Sequence, residues 1–467
     1  MRGQKRLLFL CACMTIIVGH GTLVGVRAAI VRPGAADALR PAVPAAAVDE
    51  RPVLCPYKAG SFARDTLRGR GAVPTSLPIK HVVILMQENR SYDHYFGRLP
   101  EAGQPDAEAI PASYGNRDPE GRWVTPFHLP STCVPGDPPH QWENVSAHYD
   151  GGRMDGFVAE AARGALRRAT RGRWPKRAEA QKGDGDGEDD DDVSGRYALG
   201  YYDARDLPFY AFLANTFTIG DRYFSPVMAG TWPNRQVLYT GTAQPRRAPT
   251  GLLRGARTIF DNLSAAHVSW AVYTDGPPRQ DCIGWNRHSP GVKPVAALFR
   301  ALGNGSLPAV SFVDASAEDE HPPADVQRGE AWVRRLYLAA TASPLWNDLA
   351  LFVTYDEGGG FFDHVPPPAA CAPDAARGDL GRRGTRVPLL VVSPWARRHH
   401  VSHVVHDHAS LLRFVELLFD LPALTARDAN ADALLDAFDF GQRPASPPLP
   451  PPAGHGGCRP EGLLAAR

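Results

Sequence analysis

The middle of the chain is punctuated by short apolar runs: HVVILM at 81–86, VSWAVYT at 268–274, AVSFVD at 309–314, LALFVTYDE at 349–357 and PLLVVS at 388–393. Most of their positions are apolar without strict alternation. Each therefore predicts a strand buried on both faces, as in a parallel sheet covered by helices. Between them lie stretches with helical spacing: LPFYAFLANTF (207–217), DVQRGEAWVRRLYLAATA (325–342) and HASLLRFVELLFDL (408–421). In the last, Leu411, Leu412, Val415, Leu417, Leu418 and Leu421 share an apolar face. The alternation predicts an α/β fold, with a mostly parallel central sheet sandwiched by helices and interrupted by long loop insertions.

The polarity at the strand ends changes the picture from fold to chemistry. After HVVILM the chain turns at once to Gln87, Glu88 and Asn89, and the strand at 349–357 closes on Asp356 and Glu357 before Gly358, Gly359 and Gly360. In open α/β sheets, ligands bind outside the carboxyl ends of the strands. Three carboxylates and an amide oxygen are hard ligands suited to one divalent cation such as Ca²⁺, Mg²⁺ or Mn²⁺. Either acidic pair alone reads as solvated strand termination; matching pairs on two strands read as a site. Thr231, in GTWPNR ahead of a helix-like run, has two readings from the residues alone. It is a helix cap, or a hydroxyl activated as a nucleophile. His140, His321, His364 and the His403, His406, His408 group are candidate proton donors or surface and capping residues.

Several segments bracket this region. The basic residues Arg2, Lys5 and Arg6, an apolar stretch and Val26-Arg27-Ala28 make residues 1–28 a signal peptide, with a single membrane anchor as the alternative. A secreted or periplasmic protein with no stable membrane span after signal removal is expected. Residues 29–75 read as an irregular leader, loosely packed or wrapped on the surface. Residues 76–440 read as a single catalytic domain, although 467 residues alone would allow two or three. Within it, 163–195 reads as a disordered charged insertion; its acidic end, GDGDGEDDDDVSG, lacks the ligand spacing of a calcium loop. Residues 441–467 read as a Pro-rich tail, an extended linker or free end.

The net charge of +1 becomes −3 without residues 1–28, so nothing points to nucleic acid as a partner. Of the 7 cysteines, Cys55, Cys133, Cys282, Cys371 and Cys458 lie beyond the signal peptide, widely spaced. One or two disulfides with a thiol left over are expected, in pairings the sequence leaves open.

Six motifs in order carry a resemblance: HVVILMQENRSYDHYFG (81–97), GGRMDGFV (151–158), FTIGDRYFSPVMAGTWPNR (217–235), DEHPPADVQRGE (319–330), VTYDEGGGFFDHVPPP (353–368) and RVPLLVVSPWARRHHVSHVVHDHASLLRFVE (386–416). Over roughly 78–422 the chain resembles the bacterial phosphoesterase family of secreted acid phosphatases and bacterial phospholipases C. The resemblance implies an alkaline-phosphatase-like fold and a metal held by Glu88, Asn89, Thr231, Asp356 and Glu357. It implies Thr231 as nucleophile through a phospho-threonine intermediate, Asn89 as a stabiliser of developing charge, and His140 and His321 lining the phosphoryl pocket. Arg235 reads equally as a structural or a functional residue. Gly358 stands where many relatives have His. The substrate expected is a small phosphate ester or a phospholipid head group. The first reading is an acid phosphatase, because the chain is short for the extra C-terminal domains of many phospholipases C. A phospholipase C is the alternative, and a non-catalytic binding protein a third.

Overall fold

HVVILMQ forms strand β1 (His81–Gln87), in which every residue after His81 is buried. In this computed structural model, which describes residues 53–67, 76–171, 194–246, 251–315, 318–455 and 457–458, β1 is central to an eight-stranded sheet. Its other strands are β2 (Thr218–Gly220), β3 (Trp270–Thr274), β4 (Val292–Lys293), β5 (Val310–Asp314), β6 (Leu349–Tyr355), β7 (Leu389–Val392) and β8 (His400–Ser402). The order across the sheet is β8-β2-β7-β6-β1-β5-β3-β4. Only β7 runs antiparallel to its neighbours; β1 is parallel to both β5 and β6. The fold is thus α/β with a mostly parallel sheet, and all five predicted strands are present. The three that went unpredicted, β2, β4 and β8, are two or three residues long and too brief to show a pattern.

Register places the chemistry. Gln87 pairs with Tyr355, so Glu88 and Asp356 emerge side by side from adjacent strands. Met86 pairs with Asp314, so β5 adds a third acid to the same rim. Helices α1 (Pro208–Thr216), α2 (Thr231–Thr240), α3 (Val326–Thr341) and α4 (His408–Phe419) bury apolar faces in one large core with the sheet. In α4, Asp407 caps the N-terminus by accepting from the Ala409 amide at 2.8 Å.

The peripheral segments differ from expectation in two places. The stretch expected to turn irregular at 163 continues as a helix from Phe157 to Arg171. Phe157, Val158, Ala161, Ala162 and Ala165 are its buried face, and Arg163 and Arg167 lie on its exposed side. Arg163 and Arg167 thus belong to the solvent face of an amphipathic helix. The signal peptide expected at 1–28 and the acidic run at 183–193 fall outside the described residues.

The Pro-rich tail is extended but is no free end. Its carbonyls at Ala445, Pro448 and Pro451 accept from Trp346, Tyr337 and Arg334 at 3.1, 2.7 and 2.6 Å, and Cys458 is disulfide-bonded to Cys133. Of residues 29–75, those at 53–67 are tied to the catalytic region: Cys55 is bonded to Cys371, and the Gly60 amide donates to the Ala423 carbonyl at 2.8 Å. Among the described residues Cys282 is the free thiol, and it is buried. Among the described residues, no helix is long and apolar enough to cross a membrane.

Candidate active site

At the carboxyl rim, the backbone of Asn89 adopts a left-handed conformation, φ 64°. Asp356 holds it there: its Oδ1 accepts from the Asn89 amide at 3.1 Å and from the Glu357 amide at 2.8 Å. Asn89 is therefore aimed by the neighbouring strand. Glycine is required opposite: a Cβ on Gly359 would sit 2.3 Å from the Asn89 carbonyl oxygen. Gly359 also donates its amide to Glu357 Oε2 at 2.7 Å, which orients that carboxylate.

His140 closes the other side. Its Nδ1 donates to the Pro138 carbonyl at 2.7 Å, which turns Nε2 toward Glu357 Oε1 at 3.6 Å and Asn89 Nδ2 at 3.5 Å. Burial would push the His140 imidazole down, but Glu357 and Asp137 hold it up, at about 9. Burial raises the Glu357 carboxyl to about 8 against the pull of His140, and raises Glu88 to about 8 against Arg235, with Asp356 adding repulsion in both.

Thr231 is the first residue of α2 and half-buried; Gly230, not Thr231, occupies the capping position. Capping therefore does not account for Thr231. Asn234 fixes the approach to the helix, accepting from the Val227 amide at 2.9 Å and donating to the Ala229 and Gly230 carbonyls at 2.7 and 3.0 Å. Gly230 lies against His140, with a built Cβ 3.2 Å from its Cδ2. One turn on, Arg235 reaches the strand ends: Nε to Asp356 Oδ2 at 3.1 Å, Nη1 to Asp314 Oδ1 at 2.9 Å and Nη2 to Glu88 Oε1 at 3.4 Å. It is fully buried among three acids, which answers the question its position raised: Arg235 ties the Thr231 helix to the rim.

Glu88, Asn89, Asp356, Glu357 and His140 are in direct contact or one residue apart. His321 stands at the edge, its Nε2 4.0 Å from Asp137 Oδ2, while Asp137 Oδ1 lies 3.6 Å from His140. Sequence reasoning missed Arg279, Asp314 and Asp319. Arg279 pairs with Glu88 Oε1 at 2.6 Å and Asp319 Oδ2 at 2.8 Å. Asp314 carried a readable signal, since AVSFVD also ends a buried strand on an acid. Glu320 was missed as well. It is buried, and accepts from the Tyr95, Tyr210 and Tyr355 hydroxyls and the Gln87 amide, anchoring the Asp319–His321 segment under the site.

The other histidines singled out lie elsewhere. His364 pairs with Asp93 at 2.6 Å in a buried cluster with Asp363 and Arg386. His406 sits between Asp432 and Asp436, and His403 pairs with Asp221. His408 does not pair with Asp407, which binds Arg383 and Arg427. It supports the rim from behind, donating Nε2–H to the Asp356 carbonyl at 2.9 Å.

The donor set suits a hard divalent cation. Asn89 Oδ1 and Glu357 Oε1 are buried oxygens without a hydrogen-bond partner, and native proteins rarely leave such groups unmet. Glu88, Asp314, Asp319, Asp356 and Glu357 together outnumber Arg235, Arg279 and His140, so the fully ionised site carries an excess of negative charge that a divalent ion would balance.

The Phosphoesterase family matches residues 79–422. Non-hemolytic phospholipase C of Pseudomonas aeruginosa is 31% identical over 440 residues, 80% of this chain and 58% of its own. Phospholipase C B of Mycobacterium tuberculosis is 31% identical over 453 residues, 82% of this chain and 81% of its own. Non-specific phospholipase C6 of Arabidopsis thaliana is 29% identical over 404 residues, 77% and 72% respectively. The chain thus spans 58% of the length of the Pseudomonas relative. Among solved structures, a Vibrio parahaemolyticus protein of the alkaline phosphatase superfamily overlaps 51% of this chain and 65% of its own, at 12% identity and a TM-score of 0.35.

Proposed function

The chain belongs to the Phosphoesterase family, and on that premise we propose that it cleaves phosphodiesters of phospholipid type as a phospholipase C, with Thr231 as nucleophile. It is a hydrolase of phosphoric esters. The phosphatase reading rested on chain length, and that ground weakens: the chain covers 81% of a relative called phospholipase C. Named phospholipases C in bacteria and a plant support the diester instead. Export through residues 1–28 completes the proposal.

The observation that carries the reading is the meeting of two unpartnered buried oxygens, Asn89 Oδ1 and Glu357 Oε1, with Nε2 of His140 beside the helix that Thr231 opens. Glu88, Asn89, Asp356 and Glu357 would hold a divalent ion, which would supply neutralisation of phosphoryl charge and a lower hydroxyl pKa. Thr231 gives its hydroxyl proton to solvent, and its Oγ attacks phosphorus. The bond from phosphorus to the leaving alcohol breaks, and His140, locked by Pro138, gives that alcohol its proton from Nε2. Water then attacks phosphorus and passes a proton to His140. The Thr231 oxygen departs and is reprotonated from solvent, and a phosphomonoester is released. Asn89 donates from Nδ2 to developing phosphoryl charge.

The test uses purified protein on p-nitrophenyl phosphorylcholine and p-nitrophenyl phosphate, each with and without EDTA. Turnover of the diester, abolished by EDTA and restored by a divalent cation, is expected. Turnover of the monoester alone would return the acid phosphatase, and inertness toward a panel of phosphate esters would leave a binding protein.

A further inference from the structure

The two arginines at the rim are not equivalent. Arg235 is saturated: its three nitrogens meet Asp356, Asp314 and Glu88, and Nη2 also meets the Met86 and Gln87 carbonyls at 3.4 Å each. Its side chain is 1% exposed. Arg279 comes from a short 3-10 turn, Arg279–Ile283, and is 23% exposed. One flank is fixed, with Nε on Glu88 and Nη2 on Asp319, and its own amide donates to Asp314 Oδ2 at 3.3 Å. Nη1 makes no hydrogen bond with a described residue.

Glu88 Oε1 already faces Arg235, so two guanidiniums converge on one carboxylate oxygen. That flank, though acidic as a whole, carries both guanidiniums, whereas the Asn89–Glu357 flank offers bare oxygens. The bare oxygens offer a place for a cation, and the Nη1 edge of Arg279 offers one for an anion. Guanidinium N–H groups match phosphoryl oxygens in geometry as well as charge. Asp319 is itself fixed, because its carbonyl accepts from the Glu88 amide at 2.9 Å and its neighbour Glu320 is gripped by three tyrosines.

We propose that Arg279 is a catalytic residue which binds a non-bridging phosphoryl oxygen of the ester through Nη1, with Asp319 as its positioning residue. This deepens the phosphodiesterase reading and rests on it.

The experiment compares the metal-loaded full chain with Arg279→Gln, Arg279→Lys and Asp319→Asn. Turnover of p-nitrophenyl phosphorylcholine, the dissociation constant of inorganic phosphate by calorimetry, metal content and thermal midpoint are measured. Arg279→Gln is expected to lose about 100-fold in kcat/KM, the scale of removing one donor from a charge-stabilising site, to bind phosphate at least about tenfold more weakly and to keep its metal. Lysine recovers part of the loss. Asp319→Asn raises KM and weakens phosphate binding with a smaller fall in kcat. Unchanged phosphate affinity with kcat/KM within about threefold in Arg279→Gln overturns the proposal. Should that variant fail to fold, unchanged phosphate affinity in both Arg279→Lys and Asp319→Asn overturns it equally. Arg279-dependent phosphate binding and turnover by a wild type that cleaves the monoester but no diester would sink the diesterase reading and leave this one standing; diester turnover indifferent to Arg279 would do the reverse.

Discussion

Gly359→Ala tests whether the site depends on the backbone pose of Asn89. At Gly359, φ is 63°, and an added Cβ would lie 2.3 Å from the Asn89 oxygen and 2.7 Å from its carbonyl carbon and Cβ, where ordinary contact begins at 3.4 Å. None of these atoms is the tip of a flexible side chain, so relief requires a shift of roughly 1 Å in the Asn89 segment; misplacements of that size cost on the order of 100-fold in rate. The left-handed backbone adds about 1 kcal/mol of strain for an L residue. Turnover should therefore fall by about 100-fold while stability drops by only about 1–3 kcal/mol. Gly358→Ala is the internal control. Its Cβ meets Thr385 Cγ2 at 2.9 Å and no backbone, and φ is unremarkable, so that variant should stay within about tenfold of wild type and recover with Thr385→Ser. The assay is steady-state turnover of p-nitrophenyl phosphorylcholine beside a thermal melt. Wild-type turnover in Gly359→Ala, or equal losses in the two variants, would refute the reasoning.

Thr231→Ala should lose turnover by at least about 1,000-fold with an unchanged melt, since Thr231 does not cap its helix; activity near wild type removes it as nucleophile. Cys458→Ser frees the tail from the loop that leads to His140, and the tail should become the first site cut in limited proteolysis; identical cleavage kinetics would mean that its hydrogen bonds suffice. Glu108 contributes a pH dependence. Burial works to raise it, but His364, Arg386 and Arg222 hold it at about 2, below its ordinary 4.5. Between those values the unfolded chain binds the extra proton, so this stability is present above pH 4.5 and lost as pH falls toward 2. Glu108→Gln should flatten the acid limb of a stability curve over that window, and an unaltered limb would contradict the assignment.

The sequence reading succeeded where burial is continuous and failed where partners are remote. β1, β5 and β6 announce themselves because parallel strands are apolar on both faces. Glu88 and Asp356 stand out because matching acids end two such runs, where either alone would read as ordinary strand termination. Arg279 and Asp319 could not be found that way. Each is an ordinary charged residue in a loop, and its role arises only from contacts with Glu88, almost two hundred positions away for Arg279. Glu320 was hidden for a similar reason: three tyrosines from separate elements satisfy it, and none is near it in the chain. The helix through Arg163 was read as part of a disordered charged insertion because its charge outweighed the alanine face at Ala161, Ala162 and Ala165.

Arg235 carries a warning for mutational mapping. It stitches Asp314, Glu88 and Asp356 together from beneath, and removing one partner of a buried charge cluster costs about 3–5 kcal/mol. A variant lacking it would come apart rather than merely fall silent. The helix that presents the hydroxyl and the sheet that presents the acids therefore cannot be inherited separately: a lineage that lost the chemistry could keep this arginine indefinitely, for the sake of its architecture alone.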